Sequence, residues 1–386
     1  MKTLIYAILF LFSWVAAKSQ SGCFPEGISF AHQYEIEWFQ ANYSWCTHIE
    51  GSVHIFGEDI YSLGGLSGVK SIGGSLYIGD PFWWTNLRSL NGLQGLTYVG
   101  GGITLQNNPF LRNIEGLGNV ESLGGTGQLL IEMNDSLTSL AGLEKITTIE
   151  GGVWVTGNHS LLNFLGLSNL TYINRNGFYC ENNYLLADFT GLENLKKCIG
   201  ILKIGINESL VNIDALTGLN EFGGGVFIHD NAALENLDGI ANIPGTSISY
   251  LRIFNNPLLT KCHVQSVCDR LAYGVGGLNQ IEHNGPGCAD YYEVVHKCES
   301  IGVDEHSLPE VFSIIENPDD DFIVIVAGNH PAAYNCDVYD LRGRRVLHRL
   351  FQDETNTIST ASLSSGIYLL RIQGDGQYAV KKFCKK

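Results

Sequence analysis

Short stretches in which apolar and polar residues alternate recur along most of the chain. Within each stretch the apolar residues stand two apart, which predicts a short β-strand with one buried face. In order, the stretches read GSVHIFGE, GSLYIGD, GGITLQNN, GQLLIEMN, GGVWVTGN, GFYCENN, GILKIGIN, GGVFIHDN and SYLRIFNN. Most of them end at an asparagine, and these asparagines recur at intervals of about 25 residues: Asn108, Asn134, Asn158, Asn183, Asn207, Asn231 and Asn256.

Gly-Leu pairs keep the same register as the strands. They stand at Gly65-Leu66, Gly92-Leu93, Gly116-Leu117, Gly142-Leu143, Gly166-Leu167, Gly191-Leu192 and Gly218-Leu219, with Gly239-Ile240 as a variant. A repeat of this size cannot bury its apolar side alone and has to stack on its neighbours. The pattern therefore predicts a β-solenoid, with an insertion at residues 81–85.

The alternation assigns one set of strand residues to the interior. The position three residues before each closing asparagine is predicted to point inward: Leu105, Ile131, Val155, Cys180, Ile204, Ile228 and Ile253. The asparagines themselves are predicted to turn inward and to bond backbone groups that would otherwise be buried without a partner.

The other strand residues are predicted to face solvent in two columns. The first column is His54, Tyr77, Thr104, Leu130, Trp154, Tyr179, Lys203, Phe227 and Arg252, and the second is Phe56, Gly79, Gln106, Glu132, Thr156, Glu181, Gly205, His229 and Phe254. Aromatic rings in register can stack on a ligand or on one another. The candidate ligand-binding residues are His54, Tyr77, Trp154, Tyr179, Phe227, Glu132, Glu181, His229 and Phe254.

The order of strand, Asn, x-Leu-x-x-Leu and Gly-Leu, followed by a short apolar piece and Gly, resembles the receptor L-domain, a relative of the leucine-rich repeats. The resemblance covers residues 51–260 and implies a mostly β fold, a right-handed β-solenoid. The stricter leucine-rich repeat motif is not matched, which disfavours a regular horseshoe with helices. Such domains bind many different partners, so the resemblance implies a fold rather than a ligand.

Composition supports repetition and limits the partners. Glycine contributes 46 of the 386 residues, as many tight turns require, and a hydrophobic content of 45% suffices for a core. The formal net charge of −16 disfavours a nucleic-acid partner, because such proteins need a basic face. Nine of the 23 Lys and Arg residues lie after residue 341, so the rest of the chain is more acidic than the total indicates.

Ten cysteines indicate an oxidising compartment. The start Met1-Lys2, the apolar run 4–15 and the small residues Ala16-Ala17 are typical of a signal peptide that is removed, which we place at residues 1–20. Lipidation of Cys23 is disfavoured because no aliphatic residue stands three positions before it. No later run has the length of a membrane span, so the sequence predicts no transmembrane segment.

Cysteines at both ends of the solenoid predict disulfide caps. In the N-terminal cap, residues 21–50, we expect Cys23 to pair with Cys46 beside Trp38, Phe39 and Trp45. The C-terminal cap, residues 261–299, holds four cysteines that allow three pairings, at spacings that disfavour zinc: Cys262, Cys268, Cys288 and Cys298. Two further pairs are each predicted to be either a disulfide or two thiols: Cys180 with Cys198, and Cys336 with Cys384.

The coil register is lost at Ser300. Residues 300–310 are predicted to be a linker, and in residues 311–386 short alternating strands between turns predict a small Ig-like β-sandwich. This segment resembles the C-terminal sorting domain (type A) of the type IX secretion system of certain Gram-negative bacteria. The matching motif residues are Asn317, Pro318, Asp340, Gly343, Gly366, Tyr368 and Lys382. The resemblance implies Sec export, outer-membrane passage through the type IX machinery, removal of the domain, and a mature protein that is secreted or attached to the outer-membrane surface.

The common catalytic motifs are absent from the sequence. We therefore predict a non-enzymatic recognition or adhesion protein that binds glycan or protein, with no cofactor and no metal. One alternative is a structural spacer in a surface layer. The other is a polysaccharide hydrolase that uses Glu132 and Glu181; two coils at ~4.8 Å each separate them by ~10 Å, slightly beyond the range of inverting enzymes.

Overall fold

The computed structural model describes residues 22–273, 277–299, 312–316, 322–327, 334–340, 344–351, 355–374 and 377–385. The predicted signal peptide, the predicted linker at 300–310 and three sorting-motif residues (Asn317, Pro318 and Gly343) lie outside these residues. The described part of the chain is mostly β-structure, as the sequence predicts.

Short strands fill the part of the chain before residue 300. They are β1 (Ile28–Phe30), β2 (His48–Ile49), β3 (Val53–Ile55), β4 (Ser71–Ile72), β5 (Leu76–Ile78), β6 (Tyr98–Val99), β7 (Ile103–Gln106), β8 (Ser122–Leu123), β9 (Leu129–Glu132), β10 (Thr148–Ile149), β11 (Val153–Thr156), β12 (Tyr172–Ile173), β13 (Gly177–Glu181), β14 (Lys197–Ile199), β15 (Ile201–Gly205), β16 (Glu221–His229), β17 (Ile248–Phe254) and β18 (Asn279–Glu282). Three α-helices stand outside the repeats: α1 (Gln33–Tyr43), α2 (Gln265–Tyr273) and α3 (Tyr291–Glu299). Short 3-10 turns lie at Gly64–Leu66, Glu115–Leu117, Leu165–Leu167, Asp214–Gly218, Asp238–Ile240 and Gly245–Ser247.

Each coil contributes two strands to two parallel rows. The longer strands form what we call the platform sheet, in which β1, the odd-numbered strands β3 to β15, and then β16, β17 and β18 pair in sequence. The shorter even-numbered strands form the second row. Strand β16 belongs to both, because its first residues pair with β14 and its last ones with β15. This large parallel sheet fits a solenoid-like fold.

The core lies between the two rows and is closed by the Gly-Leu turns. All seven residues predicted to point inward, from Leu105 to Ile253, have a side chain that is 0% exposed. The leucine of each Gly-Leu pair is buried as well. Each coil thus buries both strands and one turn against the coils on either side, which is why no coil is stable alone.

The asparagines form a ladder along this core, as predicted. Asn158 is typical: its Nδ2 donates to the carbonyl oxygen of Ile131 at 2.9 Å, and its Oδ1 accepts from the backbone N–H of Asn134 at 3.2 Å. Each such bond joins successive coils and satisfies a buried backbone group. Leaving one of these groups without its partner would cost about 1–3 kcal/mol of folding free energy. Thr85 begins the ladder, donating its hydroxyl to Asn108 at 2.7 Å, and Asn284 accepts from the backbone of Asn256 at 3.1 Å.

Disulfides close both ends of the solenoid. Cys23 pairs with Cys46, the pairing expected from the sequence. At the other end Cys262 pairs with Cys288 and Cys268 with Cys298, which selects one of the three pairings left open. In the N-terminal cap Phe39 is buried, whereas Trp38 and Trp45, which we expected to pack there, are about half exposed.

Three further cysteines, Cys180, Cys198 and Cys336, are free thiols rather than members of disulfides. Cys180 lies in the platform sheet and Cys198 in the second row, and both occupy places that aliphatic residues fill in other coils. Burial raises the pKa of Cys198 to about 12 and also raises that of Cys180. Cys336 is likewise buried and free, and the strand register places Ala379, not Cys384, two strands away from it.

The C-terminal strands form two antiparallel sheets. The first contains β19 (Phe312–Glu316), β20 (Phe322–Ala327) and β23 (Thr355–Ser359); the second contains β21 (Tyr334–Asp340), β22 (Arg345–Phe351), β24 (Gly366–Gly374) and β25 (Gln377–Lys385). Ile325 and Ile358 of the first sheet share one buried cluster with Val338 and Leu370 of the second. Two sheets around one core fit a small sandwich.

Candidate ligand-binding face

The solvent-facing side of the platform sheet, which we call the platform, carries the two columns of candidate residues. The strand register runs from His54 through Tyr77, Thr104, Leu130, Trp154, Tyr179, Lys203 and Phe227 to Arg252. The second column runs beside it from Gln106 to Phe254. Side chains that stand far apart in sequence therefore meet at intervals of one strand.

The structure divides the candidate residues into separate groups. His54 and Tyr77 form a ring pair with centroids 4.2 Å apart. The buried Thr104 and the half-buried Leu130 stand between this pair and the remaining aromatic residues of the column. Phe56 instead lines a shallow hollow with His32, Asp59 and Trp83.

A stacked pair of rings occupies the middle of the platform. The rings of Trp154 and Tyr179 lie nearly parallel, at 12°, with centroids 5.3 Å apart. Both side chains are half-buried, so part of each ring remains open to solvent. Burial raises the pKa of Tyr179, and so its hydroxyl stays protonated at neutral pH.

Beyond this stack lies a cluster of cationic and aromatic side chains. The guanidinium of Arg252 lies 4.7 Å from the ring centroid of Phe227 and 5.3 Å from that of Phe254. The ammonium of Lys203 approaches the same Phe227 ring at 5.3 Å. Contacts of this kind hold a cation over the face of an aromatic ring.

Glu181 is the acidic centre of this cluster. One of its carboxylate oxygens lies 2.9 Å from Lys203 Nζ and 3.3 Å from His229 Nε2. The contact with His229 lacks the geometry of a directed hydrogen bond, since Nε2 has no hydrogen-bond partner within the described chain. Burial acts to raise the pKa of Glu181, but the contacts with His229 and Lys203 outweigh it and lower that pKa.

Two glycines make room for the rings. Glu181, Gly205 and His229 occupy the same position in successive coils, and a side chain on Gly205 would bring its Cβ within 2.4 Å of His229 Nε2. The imidazole can therefore cross over Gly205 to reach the carboxylate. Gly225 does the same for Tyr250, whose ring would lie 2.0 Å from an added Cβ.

The other candidate acid, Glu132, is held differently. Its carboxylate accepts a hydrogen bond from the Gln106 amide on the neighbouring strand. The strand that carries Thr156 separates it from Glu181, as the sequence predicts.

A groove of about 530 Å³ opens beside the cluster. Aromatic side chains of Tyr179, Phe227 and Tyr250 line it together with Lys203 and Arg252. Such a groove can hold a flat ring against aromatic faces while cationic groups reach its substituents.

Three residues of this region, Tyr250, Gln280 and Glu282, were not among the candidates that the sequence indicated. Tyr250 stands at the strand start and was not assigned to a column; Gln280 and Glu282 lie in the segment assigned to the C-terminal cap. Yet Asn279–Glu282 forms strand β18, in register with β17. The signal was present, because Ile281 stands three residues before Asn284, as the inward residue does in the seven coils that close with an asparagine.

The sorting-motif residues that the structure describes lie in the C-terminal sandwich. Asp340 ends β21 and accepts hydrogen bonds from the backbone and side chain of Arg344 at 2.9 and 3.0 Å. Gly366 begins β24, and the buried Tyr368 stacks on Phe383 and donates its hydroxyl to the Ser364 carbonyl oxygen at 2.9 Å. Lys382 lies in β25, opposite Leu369.

Neither a metal centre nor a spanning helix emerges from the described residues. There, no three side chains of His, Cys, Asp or Glu come together as a metal-binding group. Among the same residues, no helix has both the length and the apolar character needed to cross a membrane.

Comparison with known proteins identifies the C-terminal segment. A search of curated proteins finds none that matches the chain. The family model described as "Secretion system C-terminal sorting domain" matches residues 313–386. Such a domain implies passage through the type IX secretion machinery, and secretion or attachment to the cell surface. Residues 313–386 are thus a C-terminal sorting domain of the type IX secretion system.

Proposed function

We propose that this exported chain is a non-enzymatic recognition protein that binds a glycan or a protein on its platform. The observation that carries the proposal is the Trp154–Tyr179 stack, two nearly parallel rings that remain partly open on a rigid sheet. A sugar ring or a peptide side chain can stack on such a surface without rearrangement, so little conformational entropy is lost on binding.

We also propose the finer features of the fold. The coils wind right-handed in the manner of a receptor L-domain, and the C-terminal sandwich is Ig-like. The parallel rows and the repeated Asn and Gly-Leu positions support the first proposal. The two antiparallel sheets around one core support the second.

The electrostatics of Glu181 argue against a role as the general acid of a glycosidase. A glycosidase needs one carboxylic acid that stays protonated until it donates its proton to the leaving-group oxygen, which requires a raised pKa. The pKa of Glu181 is instead lowered by Lys203 and His229 after the opposing effect of burial. Activity on a polysaccharide panel that is lost in Glu132→Gln or Glu181→Gln would overturn the non-enzymatic proposal.

Arrays of glycans and proteins test the proposed binding. We expect the full chain to bind at least one ligand class and Trp154→Ala/Tyr179→Ala to lose that binding at least tenfold, because both stacking faces are gone. Tyr98→Ala/Tyr172→Ala is the matched control, since these half-exposed tyrosines lie in the second row, away from the platform.

The structural-spacer alternative predicts a different outcome. If the rings serve only to stabilise the sheet, the Trp154→Ala/Tyr179→Ala variant (the platform variant) unfolds at a lower temperature than the wild type. No ligand on the arrays then binds the two proteins differently. Thermal unfolding followed by circular dichroism, measured beside the arrays, separates the two roles. Binding that is unchanged in the platform variant would contradict the proposal.

A further inference from the structure

We propose that the groove beside the Trp154–Tyr179 stack binds an acidic glycan, with the guanidinium of Arg252 holding the carboxylate of one sugar ring. This inference rests on the proposed function and specifies its ligand class. It follows from how Arg252 is held, which of its atoms remain open, and what lines the groove.

Arg252 is held by a hydrogen bond from its Nε and by contacts between its guanidinium and two aromatic rings. Nε donates to Gln280 Oε1 at 2.7 Å, and the amide of Gln280 in turn donates to Glu282. The guanidinium plane is further held against the rings of Phe227 and Phe254. Its orientation is therefore set before any ligand arrives.

The outer nitrogens of this guanidinium remain open. In the described part of the chain, neither Nη atom donates a hydrogen bond and Arg252 contacts no carboxylate at ion-pair distance. Lys203, the other cation of the groove, is already neutralised by Glu181 at 2.9 Å. Arg252 thus presents a planar pair of donors, the geometry that binds a carboxylate through two parallel hydrogen bonds.

The walls of the groove indicate that the carboxylate belongs to a sugar ring. Phe227, Tyr250 and Tyr179 line a volume of about 530 Å³, which is larger than a free carboxylate or phosphate fills. Tyr179 also belongs to the stack with Trp154, so the two surfaces are continuous. A glycan that runs across the strands can stack on Trp154 and Tyr179 and place the acid of a further ring on Arg252.

The acidic character of the whole chain does not oppose this site. A net charge of −16 acts at long range, where salt screens it beyond a Debye length of about 8 Å. The contact with Arg252 is short and partly shielded, so local chemistry decides which ligand is retained. The site therefore contributes selectivity rather than long-range attraction.

Affinity measurements on matched polymers test the inference. The probes are polygalacturonate, alginate and hyaluronan, each beside its carboxyl-reduced form, with poly-glutamate as a non-sugar polyacid. We expect the full chain to bind at least one acidic polysaccharide about tenfold tighter than its reduced form, the ratio typical of one charged hydrogen-bonding group. We expect Arg252→Gln to lose this preference and Arg252→Lys to retain only part of it.

Arg112→Gln is the matched control, because it removes the same charge from an exposed position outside the groove. Equal binding of acidic and reduced polymers, with loss in Trp154→Ala/Tyr179→Ala, would overturn the acidic ligand and leave the proposed function standing. An unchanged preference in Arg252→Gln, tighter binding to poly-glutamate than to every polysaccharide, or no binding to any probe would also overturn it. In the last case, the glycan and protein arrays still decide the proposed function independently.

Discussion

One backbone position in every coil of the asparagine ladder adopts a left-handed conformation. It is the residue directly before the ladder asparagine, with φ between 53° and 66°: Asn107, Met133, Gly157, Asn182, Ile206, Asp230, Asn255 and His283. Glycine, asparagine and aspartate tolerate this conformation, whereas a β-branched residue is strained in it. Ile206 is therefore the most strained member of the series.

We predict that Ile206→Asn stabilises the protein by about 1 kcal/mol, because it relieves this strain. The substitution removes only part of the packing of a core residue, since Ile206 is 40% exposed. The midpoint of denaturant unfolding measures the effect. Asn182→Ile is the reciprocal variant and should destabilise by a similar amount; a lower midpoint for Ile206→Asn would contradict the prediction.

The sequence alone was enough to predict which single residues lie in the interior. It was not enough to predict contacts between side chains of different coils. The period of two along each strand was enough to assign Val155 and Ile204 to the core, since burial follows directly from alternation. The bridge from His229 over Gly205 to Glu181 depends instead on the register between three coils. The sequence placed these residues in one column but carries no signal for ring orientation or charge pairing.

At the scale of elements, the C-terminal cap combines two roles. Strand β18 adds a further strand to the platform sheet. Helix α2 precedes it in the chain and helix α3 follows it. The cysteine pattern predicted a cap, but four cysteines allow three pairings, and only the fold brings Cys268 of α2 to Cys298 of α3. The strand was missed because the cysteines around it suggested an irregular segment.

We predict that Cys268→Ser/Cys298→Ser lowers the free energy of unfolding by about 3–4 kcal/mol, the loop-entropy estimate for a cross-link of this length. The cross-link spans 30 residues and joins the two helices of the cap. Guanidinium unfolding of the oxidised protein measures the loss. Cys198→Val serves as the control, because it replaces a buried free thiol with an aliphatic residue and should cost less than about 1.5 kcal/mol. Equal stability of the double variant and the wild type would show that the cap is held by packing alone.

At the scale of the whole molecule, the segment that directs export is separate in sequence from the proposed binding surface. The sorting domain, residues 313–386, carries a recognisable motif set, whereas the platform lies outside the segment that the family model covers. Charge follows the same division, since nine of the 23 basic residues but only three of the 39 acidic ones lie after residue 341. The positions of a motif that a secretion machinery recognises accept few residue types. The solvent-facing positions of a solenoid accept many. Export by the type IX route was therefore predictable from the sequence, whereas the proposed ligand class rests on the geometry of the platform alone.

This separation leads to a prediction for export in the native host. Deletion of residues 311–386 should leave the protein in the periplasm, because the segment that directs it across the outer membrane is gone. Cell fractionation, together with protease treatment of intact cells, measures the distribution. The full-length Trp154→Ala/Tyr179→Ala variant is the control and should reach the surface or the medium as the wild type does, since its sorting domain is intact. Surface display of the truncated chain would refute the assignment, and retention of the control would mean that export also depends on the platform.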